Sequence, residues 1–281
     1  MADYTVLVLV ALLGFYVYVV VPLCVGRKLT WPTSPDIFVL SADDPRLPNW
    51  AKHFFDDVSL RLATIGFQPA TYLLTLDWPP GATGCLAIFV RPGEPDTAAA
   101  EIVKCEVPTR PASYSHQVEF VGDFLDGIQA CTSNTRVLPW AISDRRKLIR
   151  RFPKMADLGL LYRIHKELTK NVSREVENPV RQPADFAQDL RGDLARFCEN
   201  AVQAGYMYLA ADGRAYRYTI KGRLLALNKQ LPPISTIRRW LVKRTARRLL
   251  RELGLPTTYA TVDYAAQTVP TARTIKPPQR T

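Results

Sequence analysis

From Tyr4 to Gly26 the chain runs without a charged residue, and 19 of those 23 positions are hydrophobic. At about 1.5 Å per residue such a helix reaches roughly 35 Å, enough to cross a hydrocarbon core of about 30 Å with some tilt. A transmembrane anchor over residues 1–28 is therefore expected. A cleaved signal peptide fits less well. The leading MADY has Asp3 and no Lys or Arg, the apolar run is long, and no small-x-small cleavage motif follows. Residues 29–36 (LTWPTSPD) carry two prolines and read as a stiff linker.

Past the linker the period changes. Trp50, Phe54, Val58, Leu62 and Ile65 mark one face of a helix that Gly66 ends. Short runs rich in β-branched and aromatic residues then recur between turn signals: 71–78, 85–90, 100–107, 115–121 and 128–137. Val103, Cys105 and Val107 alternate with Lys104 and Glu106, which predicts one buried and one wet strand face. Asp126-Gly127 signals a two-residue hairpin turn. Residues 37–142 thus read as a helix plus an antiparallel sheet of about five strands, an α+β unit.

Residues 143–253 read as a basic helical region containing a small hairpin at 206–219. Leu161, Ile164 and Leu168 mark one helix, and Phe186, Leu190, Leu194, Phe197 and Ala201 a longer one ending at Gly205. Asp212-Gly213 sits at the hairpin turn, Thr219 is placed to cap a helix over 220–230, and a last helix covers about 234–252. Residues 254–281 read as a disordered Pro/Thr-rich tail.

Charge sharpens this division. The chain carries a net +11, yet residues 145–154 hold six basic residues and residues 221–251 hold ten, with no acidic residue in either. Everything else therefore sums to −5. On the last helix Val242, Ala246, Leu249 and Leu253 form a stripe, while Arg239, Lys243, Arg244, Arg247, Arg248 and Arg251 occupy much of the remaining circumference. That surface suits anionic lipid, at about 1 kcal/mol per cation near the membrane, an acidic protein, or nucleic-acid phosphate, and equally a core-packing helix whose long cationic stems only cover apolar surface. A secondary basic patch is expected at Arg145, Arg146, Lys147, Arg150 and Arg151. Arg27 and Lys28 follow the apolar run and no basic residue precedes it, which by the positive-inside rule puts the amino terminus outside and the bulk in the cytoplasm of an inner-membrane protein.

Catalytic chemistry finds little footing. No P-loop, GxGxxG, HExxH or CxxC pair occurs among the five cysteines and three histidines, so no cofactor or metal set is assigned and no catalytic residue is named. With Asp126-Gly127 at the turn, Cys131 faces Gly122 and His116 faces Val137, about 20 Å apart along the ladder and too far for a nucleophile–base dyad. His53 with Asp56 and Asp57 lacks a third metal ligand, and His165 borders the apolar face of its helix. Ser133, Asn134, Thr135 and Arg136 offer hydroxyls, an amide and a guanidinium that suit either an anion or a solvated sheet face.

Two resemblances complete the reading. ADFAQDL (184–190), Ala204-Gly205-Tyr206-Met207 and YRYTIKGRLL (216–225) resemble the end of a winged-helix domain of bacterial transcription regulators, which implies membrane-tethered nucleic-acid binding. The sequence departs from that family at Arg191-Gly192-Asp193, too short for the turn between its second and third helices, so one long helix is expected. TSNTR (132–136), LYRIHKEL (161–168) and YRYTIKGRLL also make the chain similar to a family of uncharacterised bacterial proteins with a single amino-terminal span, which implies an architecture and no activity. Taken together, the leading expectation is a membrane-anchored, non-catalytic interaction or scaffold module. The alternatives are winged-helix-like nucleic-acid binding and an enzyme of unknown class.

Overall fold

The computed structural model describes residues 2–27, 29–78, 80–107, 110–124, 128–135, 147–170 and 182–262. It is a mixed α+β protein with an apolar amino-terminal helix. That helix runs as α1 (Ala2–Phe15), a π-helical turn (Tyr16–Val20) and α2 (Val21–Gly26). Tyr4–Gly26 is the one helix among the described residues long and apolar enough to cross a membrane, a test that a signal sequence also passes.

The main sheet has seven strands in sequence order: β2 (Asp36–Leu40), β3 (Gln68–Leu76), β4 (Ala82–Val90), β5 (Thr97–Val107), β6 (Arg110–Asp123), β7 (Gln129–Ser133) and β8 (Lys147–Arg151). All neighbours are antiparallel except β7 and β8, which are parallel. Helices α3 (Asn49–Ala63) and α4 (Leu158–Thr169) bury Phe54, Phe55, Val58, Leu62, Leu161 and Ile164 on one face against Phe89, Ile102 and Phe120. Helix α5 (Pro183–Gln203) covers part of the other face through Phe186 and Ala187, packed with Ile37, Leu73 and Ile88. A smaller sheet orders β1 (Thr30–Pro32), β10 (Ala215–Tyr218) and β9 (Met207–Leu209), followed by α6 (Ile220–Asn228) and α7 (Ile234–Glu252).

Several expectations are corrected. The linker 29–36 contributes β1, whose Trp31 is buried against Trp78 with ring centroids 4.8 Å apart. The sheet gains β2 and β8, and β8 carries it across the expected boundary at 142/143. The end of β5 keeps the expected alternation, with Val103 buried and Glu106 exposed, but its middle, at the centre of the sheet, is buried on both faces, Ile102 on one and Val103 on the other. The tail is docked as far as Val262: Ala156 N–H donates to Ala260 O at 2.9 Å, Val262 N–H donates to Lys154 O at 2.9 Å, and Tyr259 Oη donates to Pro153 O at 3.3 Å.

The hairpin register shifts by one. Cys131 pairs with Val121 rather than Gly122, and Phe124 N–H donates to Ile128 O, a closure that encloses three residues rather than two. Asp126-Gly127 and Val137 lie outside the described residues. Since alternate residues face opposite ways, the shift puts Cys131 and His116 on opposite faces of the sheet. His116 packs on Phe54 and Tyr114 of the α3 side, whereas Cys131 lies near Glu119 and Lys147.

Candidate membrane-binding surface

The region that the basic segments build begins at the small hairpin. Gly213, at φ +68°, makes the β9–β10 turn, where a residue with a Cβ is disfavoured. Thr219 then caps α6, its Oγ1 accepting from Gly222 N–H at 3.0 Å and donating to Gly205 O at 2.8 Å. A Cβ at Gly222 would collide with the Tyr206 carbonyl oxygen, so α6 lies hard against the hairpin. Its other side meets the apolar helix. Arg223 packs on Gly26, where an added Cβ would sit 2.6 Å from Arg223 Cγ, and Asn228 Nδ2 donates to Tyr18 O at 3.0 Å.

Helix α7 follows and is divided along its length. Ala246, Leu249 and Leu253 of the expected stripe pack in the main core, where Leu250, outside that stripe, is buried as well, while Val242 is only half-buried. The first two turns behave differently: Ile234, Ile237, Trp240 and Leu241 are 38 %, 53 %, 55 % and 48 % exposed. At 100° per residue Ile237, Trp240 and Leu241 point away from the docked stripe, and Arg244, Arg248 and Arg251 continue that outer side toward the carboxy end. An apolar patch thus grades into a cationic one along a single helix face. Arg244 Cζ lies 5.2 Å from the Trp240 ring centroid at the junction, a cation–π distance.

The expected contact cations take up this geometry individually. Arg239, Lys243, Arg244, Arg247, Arg248 and Arg251 are all exposed. Arg239 returns its Nε–H to Ser235 O at 3.2 Å, and Arg248 lies 3.5 Å from the Glu252 carboxylate. The secondary patch does not assemble as a unit. Arg145 and Arg146 lie outside the described residues, and strand alternation sends Lys147 and Arg151 to the side opposite Arg150. Lys147 is paired with Asp193 of α5, Arg150 is exposed, and Arg151 is half-buried.

Arg151 nevertheless approaches the α6–α7 corner. Burial, with the like charge of Arg238 adding to it, pushes its guanidinium below the ordinary arginine range against the opposing pull of Glu119. Burial and Arg238 likewise lower Lys229, and burial lowers Arg238. Lys229 and Arg238 thus share a partly desolvated corner, and Arg151 lies between it and Glu119.

Elsewhere the polar residues are structural. Ser133, Asn134 and Thr135 are buried, not solvated: Asn134 accepts Val118 N–H at 2.7 Å and donates to Met155 O at 3.2 Å, while Ser133 Oγ accepts Thr135 N–H at 3.0 Å. Arg136 lies outside the described residues. His165 is fully buried, with Nδ1 3.0 Å from Thr132 Oγ1 and Nε2 3.5 Å from Asp96 Oδ1. Burial alone would push the Asp96 carboxyl up; His165 and Lys166, 2.9 Å away, hold it well below the usual carboxylate range. Among the described residues no group of three His, Cys, Asp or Glu side chains is arranged to hold a metal. Helix α5 is one uninterrupted helix from Pro183 to Gln203, without the break that a helix-turn-helix needs.

Sequence reasoning missed Ile234, Ile237, Trp240 and Leu241 as surface residues. The i, i+3, i+7 spacing of Ile234, Ile237 and Leu241 carries the signal. Comparison with family models, with curated proteins and with solved structures returned no match.

Proposed function

We propose that the chain is a membrane-anchored interaction module, held by Tyr4–Gly26 with its amino terminus outside and its sheet domain on the cytoplasmic side, whose basic carboxy-terminal helix contacts anionic lipid. The observation that carries this reading is the outer face of α7, where exposed Ile237, Trp240 and Leu241 run directly into exposed Arg244, Arg247 and Arg251. Headgroup phosphate above acyl chain presents the matching gradient. Duplex DNA offers phosphate but no apolar layer, so the exposed isoleucines and tryptophan favour lipid. Orientation follows from Arg27 and Lys28 beside the apolar run. The seat of Gly26 against Arg223 and of Tyr18 against Asn228 supports retention of the apolar helix in the mature protein, since its removal would strip α6 of a packing partner.

The test compares the full chain with a variant carrying Arg244→Gln, Arg247→Gln and Arg251→Gln. Both are reconstituted into mixed phosphatidylglycerol and phosphatidylcholine vesicles, and boundary-lipid preference is read with spin-labelled lipids. Glutamine keeps helix propensity, so folding should hold. The parent should prefer phosphatidylglycerol, and the variant should lose up to about 3 kcal/mol of that preference, about 1 kcal/mol per cation. Equal preference in both overturns the reading. Strong binding of duplex DNA by the detergent-solubilised parent, with a salt slope that falls by about 0.9 for each phosphate the variant no longer neutralises, would move it to nucleic acid.

A further inference from the structure

Pro22 has no N–H, so the helix ladder just past the π-helical turn Tyr16–Val20 is one donor short. In hydrocarbon an unsatisfied carbonyl costs several kcal/mol, and a proline inside a span is tolerated where a neighbouring group supplies the missing donor. Here Asn228 Nδ2, from the last residue of α6, donates to the Tyr18 carbonyl inside that turn at 3.0 Å. Tyr18 lies eight residues before Gly26, roughly 12 Å back along the helix axis. Gly26 meets Arg223 near the start of α6, so α6 descends beside the inner part of the apolar helix and its end lies at the level of Tyr18.

Everything after Asn228 starts from that depth. Lys229 to Pro233 turn the corner, and α7 leaves it with Ile234, Ile237, Trp240 and Leu241 exposed. By contrast the part of the apolar helix beyond Tyr18, from Tyr4 to Tyr16, is bare: Leu7, Leu9 and Leu13 are 67 %, 60 % and 63 % exposed. The exposed apolar residues of α7 therefore begin where the chain itself stops covering the span. Beside them stand Lys229 and Arg238.

We propose that the α6–α7 corner is a second, non-spanning membrane element, tied to the span by Asn228 and Tyr18 and seated in the anionic leaflet on the side of the sheet domain. Ile234, Ile237, Trp240 and Leu241 enter the acyl region up to its boundary with the headgroups, and the long side chains of Lys229 and Arg238 reach back from the corner toward lipid phosphate. This rests on the membrane reading above and adds an insertion depth, which charge attraction alone does not require. Tryptophan belongs at that depth, and long cationic side chains reach from it to the headgroups.

The test uses the full chain in phosphatidylglycerol-containing vesicles whose acyl chains are brominated near the headgroup end, with tryptophan fluorescence as readout. Of the other four tryptophans, Trp31 and Trp78 are buried and Trp50 packs on Tyr114 in the protein, and Trp140 is changed to Phe in parent and variants alike so that it adds no signal. The parent should be quenched by brominated lipid, and Trp240→Phe should remove most of that quenching. Asn228→Leu should also reduce it, because the corner loses its tie. An unquenched Trp240 in a chain that keeps its phosphatidylglycerol preference overturns the insertion and leaves the proposed function standing. Quenching that persists after the phosphatidylglycerol preference has proved absent overturns the charge reading and upholds the insertion. Should Asn228→Leu fail to fold, the Trp240→Phe comparison decides alone.

Discussion

Strand β8 and helix α7 look alike as text, two basic runs with scattered apolar residues, and the fold uses them in opposite ways. In β8 the two-residue period splits the cations between the faces of a sheet. Lys147 and Arg151 turn inward, toward a side that also holds Glu101, Glu119 and Asp193, and serve as counter-charges within the protein. In α7 the 3.6-residue period gathers Arg244, Arg247, Arg248 and Arg251 on one exposed flank, and Glu252 is the single acidic residue of the helix. A run of positive charge is thus no indication of a partner until the local period is known. The same charges neutralise internal carboxylates in one segment and remain available to an external anion in the other.

The largest expected effect separates the two halves of α7. Leu250 is fully buried, so Leu250→Ala should cost about 2–5 kcal/mol, the lost transfer energy plus a cavity. Ile237→Ala and Leu241→Ala, at exposed positions, should stay within about 0.5 kcal/mol. Urea midpoints of the full chain in mild detergent measure all three. Equal losses would mean that the amino-terminal half of α7 is also docked in the protein, and the contrast with β8 would collapse.

Next comes Glu101 of β5, on the same side of the sheet as Glu119. Glu101 accepts from Gln117, and burial first, with Glu119 second, pushes its carboxyl from an ordinary 4.5 up to about 7. The folded form therefore keeps its proton between about 4.5 and about 7, where the unfolded form has lost it, and stability declines as pH rises across that window. Glu101→Gln removes the titration while keeping an oxygen for Gln117. The variant should melt close to the parent at pH 4.5 and several degrees above it at pH 8. A difference that stays constant with pH would show that Glu101 is not held protonated.

How far these features can be read from sequence depends on which neighbour decides them. Helix α3 is legible because Phe54, Val58 and Leu62 keep period and Gly66, at φ +85°, stops it. Strand β2 was readable in principle from Ile37, Phe38, Val39 and Leu40, but two nearby prolines drew its start into a linker. Strand β8 was not readable: Lys and Arg are weak strand formers, and only pairing with β7 makes the segment extended. The sheet register missed by one residue because Asp-Gly signals a two-residue turn where the Phe124–Ile128 bond encloses three. For the candidate surface, the cations were visible and the exposed apolar patch was not, since an amphipathic stripe shows which residues can be buried without showing which end of the helix reaches a partner. Asn228 and Tyr18, 210 positions apart, leave no local signal at all.

The smallest effect tests the central difference most directly, through the Lys147–Asp193 pair. Both side chains are about one quarter exposed, 24 % and 29 %, so water screens the pair in part and its worth should be about 1 kcal/mol. Single substitutions cannot isolate that term, because Asp193 also holds Arg196 one turn along α5. A double-mutant cycle with Lys147→Met and Asp193→Ala cancels the Arg196 contribution, which is the same with and without Lys147. The coupling should be positive and should shrink in high salt. Arg247→Gln gives the counterpart on α7: an exposed cation whose loss should leave the urea midpoint within about 0.5 kcal/mol while lowering the preference for phosphatidylglycerol. A vanishing Lys147–Asp193 coupling would make β8 as free to meet an anion as α7, and the membrane surface would then have to be drawn across both segments.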